Sequence, residues 1–264
     1  KGCRDFIVGI GGSATNDAGV GMLQALGYDF FDEEGNKLGN GGEILEKIYS
    51  IDTTNKLREL ENCNFLVACD VDNPFYGEKG AAHVFSRQKG ADDEMVLKLD
   101  EGLKSFSKII QKETGIDVSN ISGAGAAGGL GGAFVSFLNA ELKPGVDIIL
   151  EAIKLEKHII DADFVITGEG RIDFQSIMGK APTGVSKLCK KHNVPVIAIA
   201  GSVSDDASST HDYGIGAIFS IMNAPISLEE AMNEENSKKL VEKNTEEIFR
   251  LIKICETKFR NGGN

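Results

Sequence analysis

Tryptophan is absent from this 264-residue chain, proline occurs five times, and no apolar run approaches the length of a membrane span. The last absence argues against a membrane-embedded protein, and no signal peptide is visible. Positive charge is also scarce: 28 Lys and Arg stand against 40 Asp and Glu, a formal net charge of −12. A nucleic-acid partner is therefore not expected, because phosphate binding needs dense Lys and Arg, although a local cationic pocket remains open. The five cysteines, Cys3, Cys63, Cys69, Cys189 and Cys255, form no CxxC pair and are odd in number. Four of them sit inside or beside apolar runs, so buried thiols in a reduced cytoplasm are expected rather than a disulfide framework. His83, His158, His192 and His211 share no metal-ligand spacing. No Walker A motif is present: Gly179-Lys180 is followed by Ala181, and position 174, where its first glycine would stand, is Phe. A nucleotide enzyme with this sequence is not of the P-loop kind.

Glycine, in contrast, is abundant. Its 32 residues cluster at 9–12, 39–42, 123–132 and 168–170. Such clusters mean sharp turns or close approach of backbone to a partner. The charged fraction of 26% and hydrophobic fraction of 41% are those of an ordinary soluble globular protein. The length suffices for one large or two modest domains.

Periodicity organises the chain. Residues 5–10 read as a strand, followed by a helix capped by Asn16 or Asp17, running to Leu26 and stopped by Gly27. Residues 65–69 form a second buried strand ending at Asp70. A helix is expected over about 92–112, with Met95, Val96, Leu99, Leu103, Phe106 and Ile110 on one side. The Gly/Ala segment 123–140 turns helical at Phe134-Val135, and Pro144 precedes a helix with the stripe Val146, Ile149, Leu150 and Ile153. A strand at 164–167, a helix near 181–192, strands at 194–200 and 215–220, a capping box at Ser227-x-x-Glu230, and a long helix from about 235 to 259 complete the pattern. In that last helix Val241, Ile248, Ile252 and Cys255 are expected inward. Alternating strands and helices from 155 onward imply a parallel, doubly wound sheet. A boundary is placed between domains 1–154 and 155–264. The chain enters a strand almost at once from Lys1, which suggests that an N-terminal portion is missing.

The richest chemistry lies at 163–184. A buried strand is expected to break after Thr167 into a loop carrying Glu169, Arg171, Asp173 and Lys180 beside Gly168, Gly170 and Gly179. In open α/β sheets ligands bind where strands end. Arg suits bidentate capture of a carboxylate or phosphate, Lys suits a phosphate as a point charge, and an Asp near a hydroxyl can take its proton. The bland alternative is a solvated loop with surface ion pairs.

Three further segments carry weaker signals. Gly9-Ile-Gly-Gly-Ser-Ala-Thr-Asn-Asp17 follows a strand and opens a helix, the context of an anion cradle. Gly9, Gly11 and Ala14 also fit a loose dinucleotide pattern, with Asp32 a plausible distance on. Ser13, Thr15, Asn16 and Asp17 exceed what a plain cap requires. Asp70-Val-Asp-Asn-Pro74 offers a carboxylate for Mg²⁺ or a proton, or else an Asx-turn. The Gly123–Gly132 run serves either a ligand or tight packing. Gln88-Lys89-Gly90 is a weak basic loop from which Lys89 could reach an anion, although it is expected to be solvated.

Taken together, Gly-Gly-Ser-Ala-Thr-Asn-Asp (11–17), Ala-Cys-Asp (68–70) with Asn-Pro (73–74), Gln-Lys-Gly-Ala (88–91), Gly-Ala-Gly-Ala-Ala-Gly-Gly-Leu-Gly (123–131), Ile-Thr-Gly-Glu-Gly-Arg-Ile-Asp (166–173) and Gly-Lys-Ala-Pro (179–182) resemble the class I bacterial glycerate kinases, in the family's order along the whole chain. The resemblance implies an α/β protein: a Rossmann-like, doubly wound parallel-sheet domain, here incomplete, plus an inserted glycine-rich α/β domain. It implies ATP-dependent phosphorylation of D-glycerate to 2-phosphoglycerate, with Mg²⁺ accompanying ATP, in the cytoplasm, and admits a homodimer. On this reading Asp173, Arg171, Asp17 and Lys180 are catalytic. Ser13, Thr15, Asn16, Gly125, Gly128, Gly129 and Gly170 hold substrate or phosphate, and Glu169 and Asp70 hold the metal. The chain departs from the pattern at Ala18-Gly19, where the family usually has Gly-Gly, and in the bulk of Phe174–Met178. Roughly the first third of the family's length is expected to be absent. A non-catalytic anion- or nucleotide-binding module and a dinucleotide-dependent oxidoreductase are the alternatives.

Overall fold

The computed structural model describes residues 2–173 and 180–261, except for the side chains of 258–261. The chain forms two compact units, Lys1–Ile148 and Ile149–Asn264. It is an α/β protein whose two three-stranded sheets are parallel.

In the first unit, β1 (Asp5–Gly9) pairs in parallel with β4 (Asn64–Ala68), Val8 opposite Val67. The connection between them contains α1 (Val20–Ala25) and the antiparallel pair β2 (Asp29–Phe31) and β3 (Ser50–Asp52). After β4 come α2 (Ala81–Phe85), α3 (Asp93–Thr114) and α4 (Ala126–Leu138), and the chain then returns to the sheet as β5 (Glu141–Lys143) beside β4. A helix, α5 (Gly145–Ala152), follows Pro144 as expected.

Helix α3 is specified by its own ends and face. Asp92 accepts from the Met95 N–H at 2.8 Å, and Gly115, at φ +78°, ends it. Val96, Leu103, Phe106 and Ile110 are buried, whereas Met95 faces out. Phe106 packs edge-on against Phe30, in a cluster that includes Leu23, Leu45 and Phe75. Each such side chain contributes about 1.5–3 kcal/mol on burial.

Three local expectations need correction here. The first helix starts at Val20 with Gly19 as its cap residue, not at Asn16 or Asp17, because the chain turns left-handed at Ala18 (φ 51°) and Gly19 (φ 77°). Helix α4 begins eight residues before Phe134, through a kink where Ala127, Gly128 and Gly129 take left-handed angles. In α5 Leu150 of the expected stripe is buried together with Ile148, while Ile149 and Ile153 are exposed.

In the second unit, α6 (Glu156–Ile159) precedes β6 (Val165–Ile172), α7 (Ala181–Lys191), β7 (Val196–Val203), β8 (Ala217–Ser220), α8 (Leu228–Met232) and α9 (Glu234–Asn261). The sheet order is β6-β7-β8, all parallel. Pro182 sits in the first turn of α7, where its missing N–H is harmless. The capping box at Ser227 and Glu230 forms as expected. Strand β6 does not break after Thr167. It runs on to Ile172, with Glu169 opposite Ala200 and Arg171 opposite Ser202. Gly168 keeps the strand together, because its backbone lies so close to Ile199 that a Cβ there would stand 2.8 Å from the Ile199 carbonyl oxygen. Glu169 and Arg171 therefore project from a paired strand instead of a loop.

Side-chain burial also differs from the periodic reading in places. Ile248 of α9 is buried but Val241 and Cys255 are exposed. Cys69 and Cys189 are buried, while Cys63 is half-buried and Cys255 exposed, so apolar neighbours in sequence overestimated thiol burial.

Candidate active site

Beyond the ends of β1 and β4 the first unit holds a cavity of about 210 Å³. Gly11, Gly12 and Ser13 line it from one side, Asp70 from another, and Lys89 and Ala127 close it. Ligand crevices of parallel α/β sheets lie in this position, outside the carboxyl ends of the strands. Gly12 takes φ +68°, a left-handed angle that L side chains rarely adopt.

Lys89 is the residue the sequence misjudged. Its ammonium is half-buried and donates to Thr15 O at 2.6 Å and Ser13 Oγ at 3.0 Å. Burial pulls its pKa below the usual lysine value, and the nearby Asp17 carboxylate pushes back only in part. The turn Arg87–Lys89, closed by Gly90 at φ +100°, delivers it there. The sole local signal was that Lys-Gly step. The partner loop lies 74 residues earlier, which no local pattern encodes.

Asp17 is held within its own loop. Oδ1 accepts from Thr15 Oγ1 at 2.6 Å and from the Gly19 N–H at 3.1 Å, and Oδ2 accepts from the Gly21 N–H at 2.9 Å. Asp17 thus satisfies the start of α1 without being its formal cap, and it also engages the Thr15 hydroxyl. Asn16 does not line the cavity with Ser13. It lines another of about 470 Å³, together with Glu43, Glu46, Lys98 and again Lys89. Its Oδ1 is buried without a hydrogen-bond partner among the described residues.

Asp70 Oδ1 accepts from the Gly145 N–H at 2.8 Å, at the start of α5. The neighbouring Cys69 thiol donates to Val71 O at 3.2 Å. Burial raises its pKa, and the charges of Asp70 and Asp72 raise it further. It is a packing thiol, not a nucleophile.

Gly125, Gly128 and Gly129, taken from the sequence as ligand-binding, lie against protein backbone and side chains. A Cβ on Gly125 would stand 2.1 Å from Pro74 O, and one on Gly128 2.1 Å from Thr15 O. At Gly129 the Leu103 and Phe75 side chains would be about as close as 3.0–3.1 Å. Ala126 and Ala127 face the cavity instead. The glycine run shapes the site by letting α4 press against the 15–18 loop, where Ala18 N–H donates to Gly128 O at 3.0 Å.

The second unit carries the other charged cluster. Along β6, Glu169 Oε1 is 3.3 Å from Lys180 Nζ, and Arg171 Nε is 3.4 Å from Asp173 Oδ2. Arg171 is 68% exposed, against 21% for Asp173. Glu169 Oε2 is buried with no hydrogen-bond partner among the described residues. Glu169 and Gly170 line one end of a cavity of about 700 Å³ whose other walls include Ile199, Ile221 and Met232. A Cβ on Gly170 would meet nothing within 4 Å. Gly179, the rest of the 174–179 segment and their part in the motif lie outside the described residues. Among those described, no three His, Cys, Asp or Glu side chains gather as a ready metal site, and no helix is long and apolar enough to cross a membrane.

The fold thus provides parallel sheets, a glycine-built loop beside Lys89 beyond the ends of β1 and β4, and acid–cation pairs on and after β6. The chain belongs to the glycerate kinase family, whose model matches residues 1–253. It is 49% identical over 231 residues to the glycerate 2-kinase of Escherichia coli K12, covering 88% of this chain and 61% of that protein. It is 46% identical over 258 residues to the glycerate kinase of Bacillus subtilis 168, covering 98% and 67% respectively. Among solved structures, the crystal structure of a candidate glycerate kinase 2 from Salmonella typhimurium LT2 superposes with a TM-score of 0.81 at 42% identity, over 96% of this chain and 66% of that one. The chain thus spans roughly three fifths to two thirds of the length of these relatives.

Proposed function

We propose that the protein phosphorylates D-glycerate with ATP, giving 2-phosphoglycerate. The observation that carries this reading is the Gly11–Ser13 loop, held beside a half-buried ammonium at the ends of two parallel strands, in a chain of the glycerate kinase family. Such a loop suits phosphoryl oxygens, which backbone N–H groups and a cation stabilise together.

The chemistry on the second unit supplies what a small hydroxy acid needs. Arg171, exposed at the end of β6, binds the carboxylate through its planar fork. Asp173, two residues on, accepts the proton of the attacking hydroxyl. Asp17 is the weaker candidate for that base, since Thr15 Oγ1 and two backbone N–H groups already occupy its carboxylate. Lys180 neutralises charge on the transferred group. Phosphoryl transfer asks for little more, because positioning and charge neutralisation dominate it.

Each unit, taken by itself, offers a carboxylate to a divalent cation. Mg²⁺ takes one or two carboxylates and fills its remaining positions with water and substrate phosphates, so a cage of three acids is not required. Glu169 of the second unit offers a buried carboxylate oxygen with no hydrogen-bond partner among the described residues, and Asp70 of the first has Oδ2 in addition to the oxygen bound to Gly145. When bound, the ion would draw charge from the phosphate oxygens.

The test is turnover of the intact protein with ATP and D-glycerate, the product read by ³¹P NMR to distinguish the 2- from the 3-phosphate. Binding of ATP and glycerate without turnover would leave the binding-module reading. Stabilisation by NAD alone would favour the oxidoreductase.

A further inference from the structure

Burying an ammonium is costly unless charge and hydrogen bonds compensate it. Lys89 has an acid nearby in Asp17, yet its pKa still lies below the ordinary lysine value, so the compensation is incomplete. Its two described acceptors, Ser13 Oγ and Thr15 O, are both uncharged. A strut between a hydroxyl and a carbonyl would need no charge; a neutral amide would serve. An ammonium has three N–H donors, and these contacts use two. Lys89 also lines two cavities of the first unit, one at Gly11–Ser13 and one at Asn16.

We propose that Lys89 is a catalytic cation: it pins the Ser13–Thr15 loop from behind and gives its remaining N–H to an anionic oxygen bound at Gly11–Ser13. This rests on the kinase reading for the identity of the anion, which is a phosphoryl or a carboxylate oxygen. The arrival of that charge completes the compensation Asp17 leaves unfinished. Lysine suits the task because a compact ammonium can touch a hydroxyl, a carbonyl and a ligand oxygen at once, whereas a guanidinium is planar and wider.

The experiment compares wild type with Lys89→Met, Lys89→Gln and Lys89→Arg in the intact protein. Steady-state kinetics, melting temperature, and the rise in melting temperature produced by inorganic phosphate are measured for each. Lys89→Met is expected to lose about 10²–10³ in kcat/KM, the usual result of removing one donor to developing charge, and to lose the phosphate-induced rise. Lys89→Gln, which keeps an N–H for the loop without the charge, should keep the melting temperature but share both losses. Lys89→Arg should recover only part. A fall in kcat alone assigns the anion to the transferring phosphoryl group, and a rise in the KM of glycerate alone assigns it to the carboxylate. Wild-type kcat/KM and wild-type phosphate stabilisation in Lys89→Gln would overturn the proposal and leave Lys89 a strut. If wild type itself fails to phosphorylate glycerate, the kinase reading falls, while the phosphate response of Lys89→Gln still decides whether Lys89 meets an anion.

Discussion

Asp17 and Gly21 are joined by a 2.9 Å hydrogen bond from the Gly21 backbone N–H to Oδ2, which fixes the start of α1 while the other carboxylate oxygen holds Thr15. That carboxylate is committed within its own loop, and the alternative acid, Asp173, sits beside Arg171. The two roles separate by substitution. Asp17→Ala should cost about 1–2 kcal/mol of stability, the usual loss for a helix-start acceptor, and Asp17→Asn distinctly less. Asp17→Asn should keep kcat within a few fold. Asp173→Asn should lower kcat by about two to four orders of magnitude, the range for loss of a general base, with little change in melting temperature. A collapse of kcat in Asp17→Asn at an unchanged melting temperature would exchange the assignments.

Arg171 gives a prediction of a different kind. It is 68% exposed, and its pairing with Asp173 at 3.4 Å is the sort of surface contact that adds little stability. Arg171→Lys should therefore melt within about 1 kcal/mol of wild type. Its KM for glycerate should rise by about 10- to 100-fold, the equivalent of a charged hydrogen bond worth about 1.5–3 kcal/mol. An unaltered KM and kcat would remove Arg171 from the substrate site.

Which of these features the sequence disclosed follows from the range of the interaction. Helix α3 was legible because Asp92, its apolar stripe and Gly115 are local signals within one element. Parallel strands were legible from their alternation with helices. The extension of β6 to Ile172 was hidden, since Gly168 and Gly170 look like breakers, and it is the pairing with β7, some 30 residues on, that holds them extended. Lys89 was hidden for the same reason: its acceptors at Ser13 and Thr15 belong to another loop. The glycine run 123–132 was ambiguous between ligand and packing, and a composition cannot say which surface a glycine faces.

That ambiguity has a stability test. Gly128 combines φ +70° with a backbone oxygen, Thr15 O, 2.1 Å from where a Cβ would stand. The atoms it would meet, on Thr15 and Asn16, are all backbone, so Gly128→Ala must displace the 15–18 loop. A loss of more than about 3 kcal/mol is expected, the sum of a left-handed alanine and overpacking. At Gly170 a Cβ meets open space and the backbone angle is ordinary. Gly170→Ala should melt near wild type, so any loss of turnover there reports on a ligand. Equal stability of the two variants in chemical denaturation would contradict the packing at Gly128.

The cysteines provide a check on the first unit's cavity that requires no activity. The thiolate is the reactive form, so both exposure and a pKa near the usual value of about 8.5 favour alkylation. Cys3 and Cys255 are exposed. Cys69 lines the cavity but is buried, donates to Val71 O, and has its pKa raised by burial and by Asp70 and Asp72. Burial also raises the pKa of Cys189. At pH 7 N-ethylmaleimide should therefore modify Cys3 and Cys255 well before Cys69 and Cys189, as read by peptide mass spectrometry. The sign with pH is fixed: a raised thiol pKa leaves less thiolate at neutral pH, so labelling of Cys69 should climb later than that of the exposed thiols as pH rises. In denaturant all five should react alike. Rapid modification of Cys69 at pH 7 in the folded protein would mean that the turn at Asp70–Val71, which accepts its thiol hydrogen bond, opens.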